Sequence, residues 1–279
     1  MYTYAWYHWL TFFYLYCFFG WIFESAYVSF KERRPVTRGF LHLPMLPLYG
    51  TGAVMMLWVS LPVKEHLFLV YLSGVIAATL LEYVTGYVME RLFKVKYWDY
   101  SNQRFNLNGY ICLSSSIAWG FLTILMTEVI HRPVEQLVLG IRPLTEAVFL
   151  SVTSVLFTAD AICSTKEALD LARALEAVTR LRTELDELQV QLALLKAEAA
   201  QNIQELRDMP HPVSPMAALQ TLKESHDAKR ELMMKRFSEN NDHLRQLLNR
   251  RHRILRRNPS ASSKRFAAAL KELKESWKP

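Results

Sequence analysis

Apolar positions run almost unbroken through the first 165 residues, and then the pattern changes to a heptad spacing. A helix needs about 20 mostly apolar residues to cross the hydrocarbon core of a bilayer. Trp6–Phe30 has that length with Glu24 inside it, and Leu67–Phe93 has it with Glu82 and Glu90 inside. Tyr110–Ile130 and Leu144–Cys163 are two further spans. Phe40–Leu61 is also apolar but carries Pro44, Pro47, Gly50 and Gly52. That spacing predicts a short or broken helix with an irregular entry, which lipid forbids unless neighbouring protein covers it. The pattern therefore predicts five spans, the second of them short or broken.

Beyond Cys163 the helix continues. With Leu171 at position a, the a series reads Leu171, Val178, Leu185, Leu192, Ala199, Leu206, and the d series Ala174, Leu181, Leu188, Leu195, Asn202, Met209. Such a seam predicts a coiled coil. Prolines 210, 212 and 215 break it, because proline cannot continue a helix. The predicted class is all-α: a polytopic membrane helix bundle followed by a cytoplasmic α-helical coiled-coil tail. Residues 1–165 form the transmembrane helical domain and 166–209 the coiled-coil helix continuing from the last span. Residues 210–215 are a Pro-rich break, 216–257 a second helix, and 258–279 a linker with a short basic helix from about Lys264 to Trp277. The second helix either folds back on the first as an antiparallel hairpin or pairs with another chain.

Charge separates the same two parts. The first 165 residues hold 11 basic and 10 acidic side chains, so of the whole chain's 33 and 26, the remainder holds 22 and 16. A basic helical tail can touch anionic lipid or nucleic acid, but a charged face more simply keeps a coiled coil soluble, and no specific nucleic-acid partner is expected. Lys31, Arg33, Arg34 and Arg38 follow the first span, and Arg91, Lys94, Lys96 and Arg104 follow the third. The other side carries only Lys64, Arg132 and Arg142. The positive-inside rule then sets the N-terminus outside and the tail in the cytoplasm. Trp6, Trp9, Trp58 and Trp98 fall near the interfaces, as anchoring aromatics do. No cleavable signal peptide is expected, since no basic region precedes the first apolar stretch. Cys17, Cys112 and Cys163 fit neither a metal site nor a disulfide framework.

The acids inside the spans are the candidates for chemistry. Glu24 lies about 10 Å of helix rise from the border marked by Lys31, Glu82 about 13 Å from Arg91, and Asp160 about 9 Å from Lys166. All three thus fall in the cytoplasmic half of the bilayer, where a charge is costly unless it faces a partner or water. Gly74, Ala78, Glu82, Gly86 and Glu90 follow at steps of four, a slanting ridge on which small residues admit another helix and Glu82 faces it. Arg38 and Arg104 are the candidate counter-charges. Asp99, Asn106 and Asn108 lie in the polar loop before the fourth span, whose first turn could take an anion or a capping Asn. The candidate pocket is therefore Glu24, Arg38, Glu82, Glu90, Asp99, Arg104, Asn106, Asn108 and Asp160. The plainer reading is that Glu24, Glu82 and Asp160 pair with Arg38 and Arg104 only to hold the bundle together. Ser114, Ser115 and Ser116 read as helix-bonding hydroxyls, and His8, His42, His66 and His131 show no ligand spacing, so no metal and no cofactor is expected.

No phosphate-binding loop ending in Gly-Lys-Ser/Thr occurs, nor a His-Glu-x-x-His or Gly-x-Ser-x-Gly motif. The segments Phe19-Gly20-Trp21-Ile22-Phe23-Glu24, Arg38-Gly39-Phe40-Leu41 and Pro47-Leu48-Tyr49-Gly50 resemble the opening of a bacterial family, the putative ABC-transporter permeases of type IV. The resemblance continues through Leu81-Glu82-Tyr83-Val84-Thr85-Gly86, Glu90, Trp98-Asp99-Tyr100-Ser101, Phe105-Asn106-Leu107-Asn108-Gly109, Ile111-Cys112-Leu113 and Trp119-Gly120, covering about Trp6 to Thr165. The family often has Arg where this chain has Tyr110, and the tail lies outside the resemblance. The resemblance implies a multi-pass inner-membrane transporter subunit that works with a separate ATPase and is not itself an enzyme. Short spans imply a homo-oligomer, through the membrane helices or the coiled coil. Two other readings stand beside it: a membrane enzyme acting on a lipid headgroup, and a membrane-anchored coiled-coil scaffold.

Overall fold

The computed structural model describes residues 4–208, 215–249 and 253–275. It contains α1 (Trp6–Glu32), α2 (Pro47–Ser60), α3 (Leu67–Phe93), a two-residue hairpin of β1 (Asn106–Leu107) and β2 (Ile111–Cys112), α4 (Leu113–Leu125), α5 (His131–Leu139), α6 (Pro143–Asp208), α7 (Pro215–Asn249), α8 (Arg253–Arg257) and α9 (Ala267–Glu275). A 3-10 turn, Leu61–Val63, closes α2, and a π-helical turn, Met126–Ile130, joins α4 to α5. The chain is almost wholly helical. The Pro-rich break expected at 210–215 falls outside the described residues apart from Pro215, which begins α7.

Among the described residues three helices are long and apolar enough to cross a membrane: Leu67–Phe93, the α4–α5 run Leu113–Leu139, and α6. Helix α1 has the length, 27 residues, but its Tyr and Trp content and Glu24 make it less apolar. Helix α2, at 14 residues, is the short element that Pro44 and Pro47 foreshadow. Leu144, Val148, Val152, Val155 and Leu156 of α6 are exposed, as are Phe68, Ile76 and Leu80 of α3. Apolar surface turned outward on long helices suits lipid as solvent.

The residues divide into two compact units. The first contains 4–172 together with 253–265, and the second contains 173–249 together with 266–275. In the first unit α2 packs between α1 and α3, and α3 packs on α4. The expected ridge of α3 is buried: Gly74, Ala78, Glu82 and Gly86 all turn inward. Gly74 faces Thr123 of α4 so closely that a Cβ there would overlap the threonine side chain. In the second unit Val178, Leu181, Leu185 and Leu195 of α6 are buried, as are Leu244 and Leu247 of α7 and Leu270 and Leu273 of α9. Asn240 bonds Glu184, and Arg182 donates to Glu272 at 3.0 Å.

The segment between α1 and α2 does not stay at the helix end. Val36 N–H bonds Ser29 Oγ at 2.9 Å, Arg38 N–H bonds Ser25 Oγ at 3.1 Å, and Leu46 N–H bonds the Cys17 carbonyl at 3.0 Å. The irregular segment thus runs back along α1 from Ser29 to Cys17, about 18 Å of helix rise. The N–H groups of Val36, Arg38, Leu43, Met45 and Leu46 find protein acceptors on the way, as irregular chain needs wherever lipid surrounds it.

Residues 258–263, expected as a linker, are instead built into the first unit. Lys96 and Ser262 exchange both backbone hydrogen bonds, at 2.8 and 2.9 Å. The Asn258 side-chain amide, buried, donates to the carbonyls of Gly39 and Ile254, each at 3.0 Å. Ser260 and Ser263 donate to the carbonyls of Tyr97 and Lys94. Ser262 Oγ donates to Asp99 at 2.8 Å. Burial alone would raise the Asp99 carboxyl, but the bonds from Ser101 and Ser262 and the nearby Lys96 charge outweigh it and hold the group below the usual carboxylate range. A carboxylate with a folded pKa below its unfolded one stabilises at neutral pH, and that contribution is lost only as pH falls through the lowered value. Replacing Asn258 by Leu strips the Gly39 and Ile254 carbonyls of a donor, at a cost of about 1–3 kcal/mol. Trypsin should then cut faster at Arg256, Arg257 and Lys264 in the detergent-solubilised protein, read by mass spectrometry. Unchanged cleavage there would show that Asn258 does not hold the segment.

Candidate functional site

Glu24, Glu82, Glu90 and Asp160 are each met by a hydroxyl, indole or backbone donor. Glu24, on α1, accepts from Tyr49 Oη at 2.7 Å and lies 3.4 Å from Arg38 Nε. Glu82, buried on α3, accepts from Tyr100 Oη at 3.0 Å and Trp119 Nε1 at 2.8 Å, with Ser115 Oγ at 3.4 Å. Burial pushes the Tyr100 hydroxyl up, so it remains a donor at neutral pH. Glu90 accepts from Tyr110 Oη at 2.5 Å and lies 3.7 Å from Lys96 Nζ. Tyr110, where the resembled family often has Arg, thus supplies a proton to an acid instead of a charge. Asp160, on α6, accepts the Leu43 backbone N–H at 2.7 Å and lies 2.8 Å from His42 Nδ1. The other ring nitrogen of His42 lies 3.1 Å from Glu167, which also takes Arg257 Nη2 at 2.9 Å.

The candidates are therefore distributed over neighbouring clusters instead of converging on one point. Glu24 and Arg38 come together. Glu82, Glu90 and Asp160 each have their own partners, and Arg104 is exposed in the loop away from all of them. The remaining three shape that loop. Asp99 receives Ser101, Asn106 binds the Ser101 and Gln103 carbonyls and the Gly109 N–H, and Asn108 bonds Tyr83 Oη. Gly109 has φ +75°, which favours glycine at this turn, and lets the hairpin close. The cap of α4 is Cys112 with Ser115, not an Asn.

Glu24 and Arg38 line a cavity of about 250 Å³. Its walls are the returning segment (Arg38, Gly39, Phe40), the first turn of α2 (Pro47, Leu48, Tyr49), α3 (Leu81, Thr85, Met89), and Tyr97, Trp98 and Asn258. The Arg38 side chain is only 10% exposed; its Nη2 donates to the Tyr97 carbonyl at 3.2 Å, and its buried Nη1 has no partner among the described residues.

A second polar cluster lies on α1, α5 and α6, and the sequence reading passed over it. His131, fully buried, sits between Tyr16 Oη at 2.9 Å and Tyr4 Oη at 3.1 Å. Glu146, equally buried, accepts from Thr11 Oγ1 at 2.6 Å with His8 Nε2 at 3.6 Å. Scattered histidines gave no ligand spacing, and only the tertiary fold brings Tyr4, Tyr16 and His131 together.

Comparison with curated proteins and with solved structures gives no match. Over residues 11–165, more than half of its length, the chain matches the family described as Putative ABC-transporter type IV, and it belongs to that family.

Proposed function

We propose that the chain is the membrane-embedded, permease-like subunit of an ABC-type transporter in a bacterial inner membrane. In this reading it crosses the bilayer five times, with α1 and α2 joining the three long apolar helices, the N-terminus outside and the tail in the cytoplasm. The excess of Lys and Arg after α1 and α3 supports that orientation. The cavity at Glu24 and Arg38 is the substrate-facing pocket, and this pair at the returning segment is the observation that carries the reading. Glu82, Glu90, Asp99 and Asp160, with Asn106 and Asn108, brace the walls. The chain holds no phosphate-binding loop of its own, so the energy source is a separate ATPase. The tail forms a coiled coil that, with the membrane helices, assembles copies of the chain.

The alternative of a lipid-headgroup enzyme calls for a second carboxylate in reach of the arginine. Glu24 is the one acid along this cavity among the described residues, which favours transport. Affinity purification of the full chain in mild detergent should recover an ATPase carrying a phosphate-binding loop in every preparation. A chain that repeatedly purifies with only copies of itself would overturn the transporter reading.

Glu82 then has a bracing role that can be measured. Glu82→Leu leaves the Trp119 indole and the Tyr100 hydroxyl, both half-buried, without an acceptor, at no more than about 1–3 kcal/mol for each donor. Trp119→Phe in the same chain removes one of the stranded donors. The double variant should melt higher than Glu82→Leu alone; a lower melting temperature would show that the indole does not depend on Glu82.

A further inference from the structure

The cavity beside Arg38 has a chemical signature that narrows what it holds. An arginine presents donors in a fixed planar fork and no acceptor. Nε and Nη2 of Arg38 face Glu24 and the Tyr97 carbonyl, and Nη1, on a side chain that lines the cavity, is buried with no bonding partner among the described residues. A buried donor without a partner is costly, and native structures contain few of them. The Nε–Oε1 distance of 3.4 Å is long for a charge-assisted bond, so Glu24 compensates the guanidinium only in part. The first turn of α2, a 14-residue helix, lines the same space and turns the positive end of its dipole toward it. Both features favour an acceptor that carries negative charge. Around them Phe40, Leu46, Leu48, Leu81 and Met89 make most of the wall apolar. At about 250 Å³ the space is smaller than the pockets of drug-sized ligands, which run to about 300–1,000 Å³. It suits the end of a longer molecule.

We propose that this cavity takes the oxyanion end of an anionic amphiphile, a phosphate or carboxylate group accepting from Arg38 Nη1 while the adjoining hydrocarbon lies against Phe40, Leu48, Leu81 and Met89. The inference rests on the cavity being the substrate pocket and names the class of substrate. A cationic headgroup has nothing to offer Nη1 and is excluded. A free inorganic anion satisfies Nη1 but leaves the apolar wall bare, so the amphiphile binds more tightly.

The test uses the full chain in a neutral detergent, without any partner protein, and reads the thermal shift with increasing dioctanoyl phosphatidate, dioctanoylglycerol (the same hydrocarbon without an oxyanion) or inorganic phosphate. Phosphatidate should bind at least tenfold more tightly than either of the others. Arg38→Lys keeps the charge beside Glu24 but loses the fork, and should cost tenfold or more in phosphatidate affinity with little change for dioctanoylglycerol. Met89→Trp fills the cavity and leaves Arg38 and Glu24 in place; it should abolish the difference between the two lipids. Equal affinity for the two lipids would overturn the proposal, as would inorganic phosphate binding as tightly as phosphatidate, or a Met89→Trp protein that binds phosphatidate like the parent. Because no ATPase enters the measurement, a failure here leaves the co-purification result untouched, and the absence of an ATPase leaves this binding result untouched.

Discussion

Arg38→Met should destabilise the detergent-solubilised protein by about 3–5 kcal/mol, the range for removing one partner of a buried ion pair. The cause is the state of Glu24 afterwards. Its side chain is 22% exposed and keeps only the Tyr49 hydroxyl, with no positive charge in reach. The Tyr97 carbonyl loses a donor at the same time. Glu24→Gln in the same chain takes away the stranded charge, and the double variant should regain part of the loss, with a coupling of about 0.5–3 kcal/mol. Thermal melts of the parent, both single variants and the double variant close the cycle. Strictly additive losses would mean that the two side chains do not interact.

Gly74→Val should be the most damaging change at the contact of α3 with α4. Even a Cβ at position 74 overlaps the Thr123 side chain, which is fully buried and donates to the Trp119 carbonyl at 2.8 Å. Overpacking of this kind costs about 1–3 kcal/mol and occasionally more. The same contact fixes the distance at which Trp119 meets Glu82, so the loss should be felt in that cluster too. Gly74→Ala with Thr123→Gly moves the small residue to the other helix. This pair should recover most of the stability lost by Gly74→Ala alone, less about 1 kcal/mol for a second glycine in a helix. If the pair melts no higher than Gly74→Ala alone, the close approach is not what position 74 protects.

The ridge on α3 was legible because small residues and acids at steps of four share a helix face whatever the helix packs against. The irregular entry to α2 was legible for a similar reason, since Pro44 and Pro47 act locally. What answers the acids was not. Arg38 and Arg104 were the expected counter-charges, and only Arg38 reaches an acid. Tyr49, Tyr100, Tyr110 and Trp119 do that work, and an aromatic with a polar tip looks the same in sequence whether it anchors at an interface or donates to a buried acid. His42 meeting Asp160 and Glu167, or Asn258 meeting Gly39, joins residues more than a hundred positions apart. No periodicity encodes such pairs. The segment Asn258–Ser263, expected as a linker, carries one Pro and three Ser, and nothing in that composition says that its backbone is bound into the first unit.

That bound segment ends an excursion: the chain leaves the first unit after Ala172, and 253–265 rejoin it at the stretch that bonds Lys94, Lys96 and Tyr97 before 266–275 return to the second unit. The entropy of closing such an excursion grows only with the logarithm of its length, about 0.6 kcal/mol for each doubling. Changing the length of the excursion is therefore close to neutral for closing the first unit, whereas the six residues of the seam cannot be displaced without uncovering the Gly39 carbonyl. The composition of the excursion is less free, because 266–275 return to it and Glu272 of α9 accepts from Arg182 of α6.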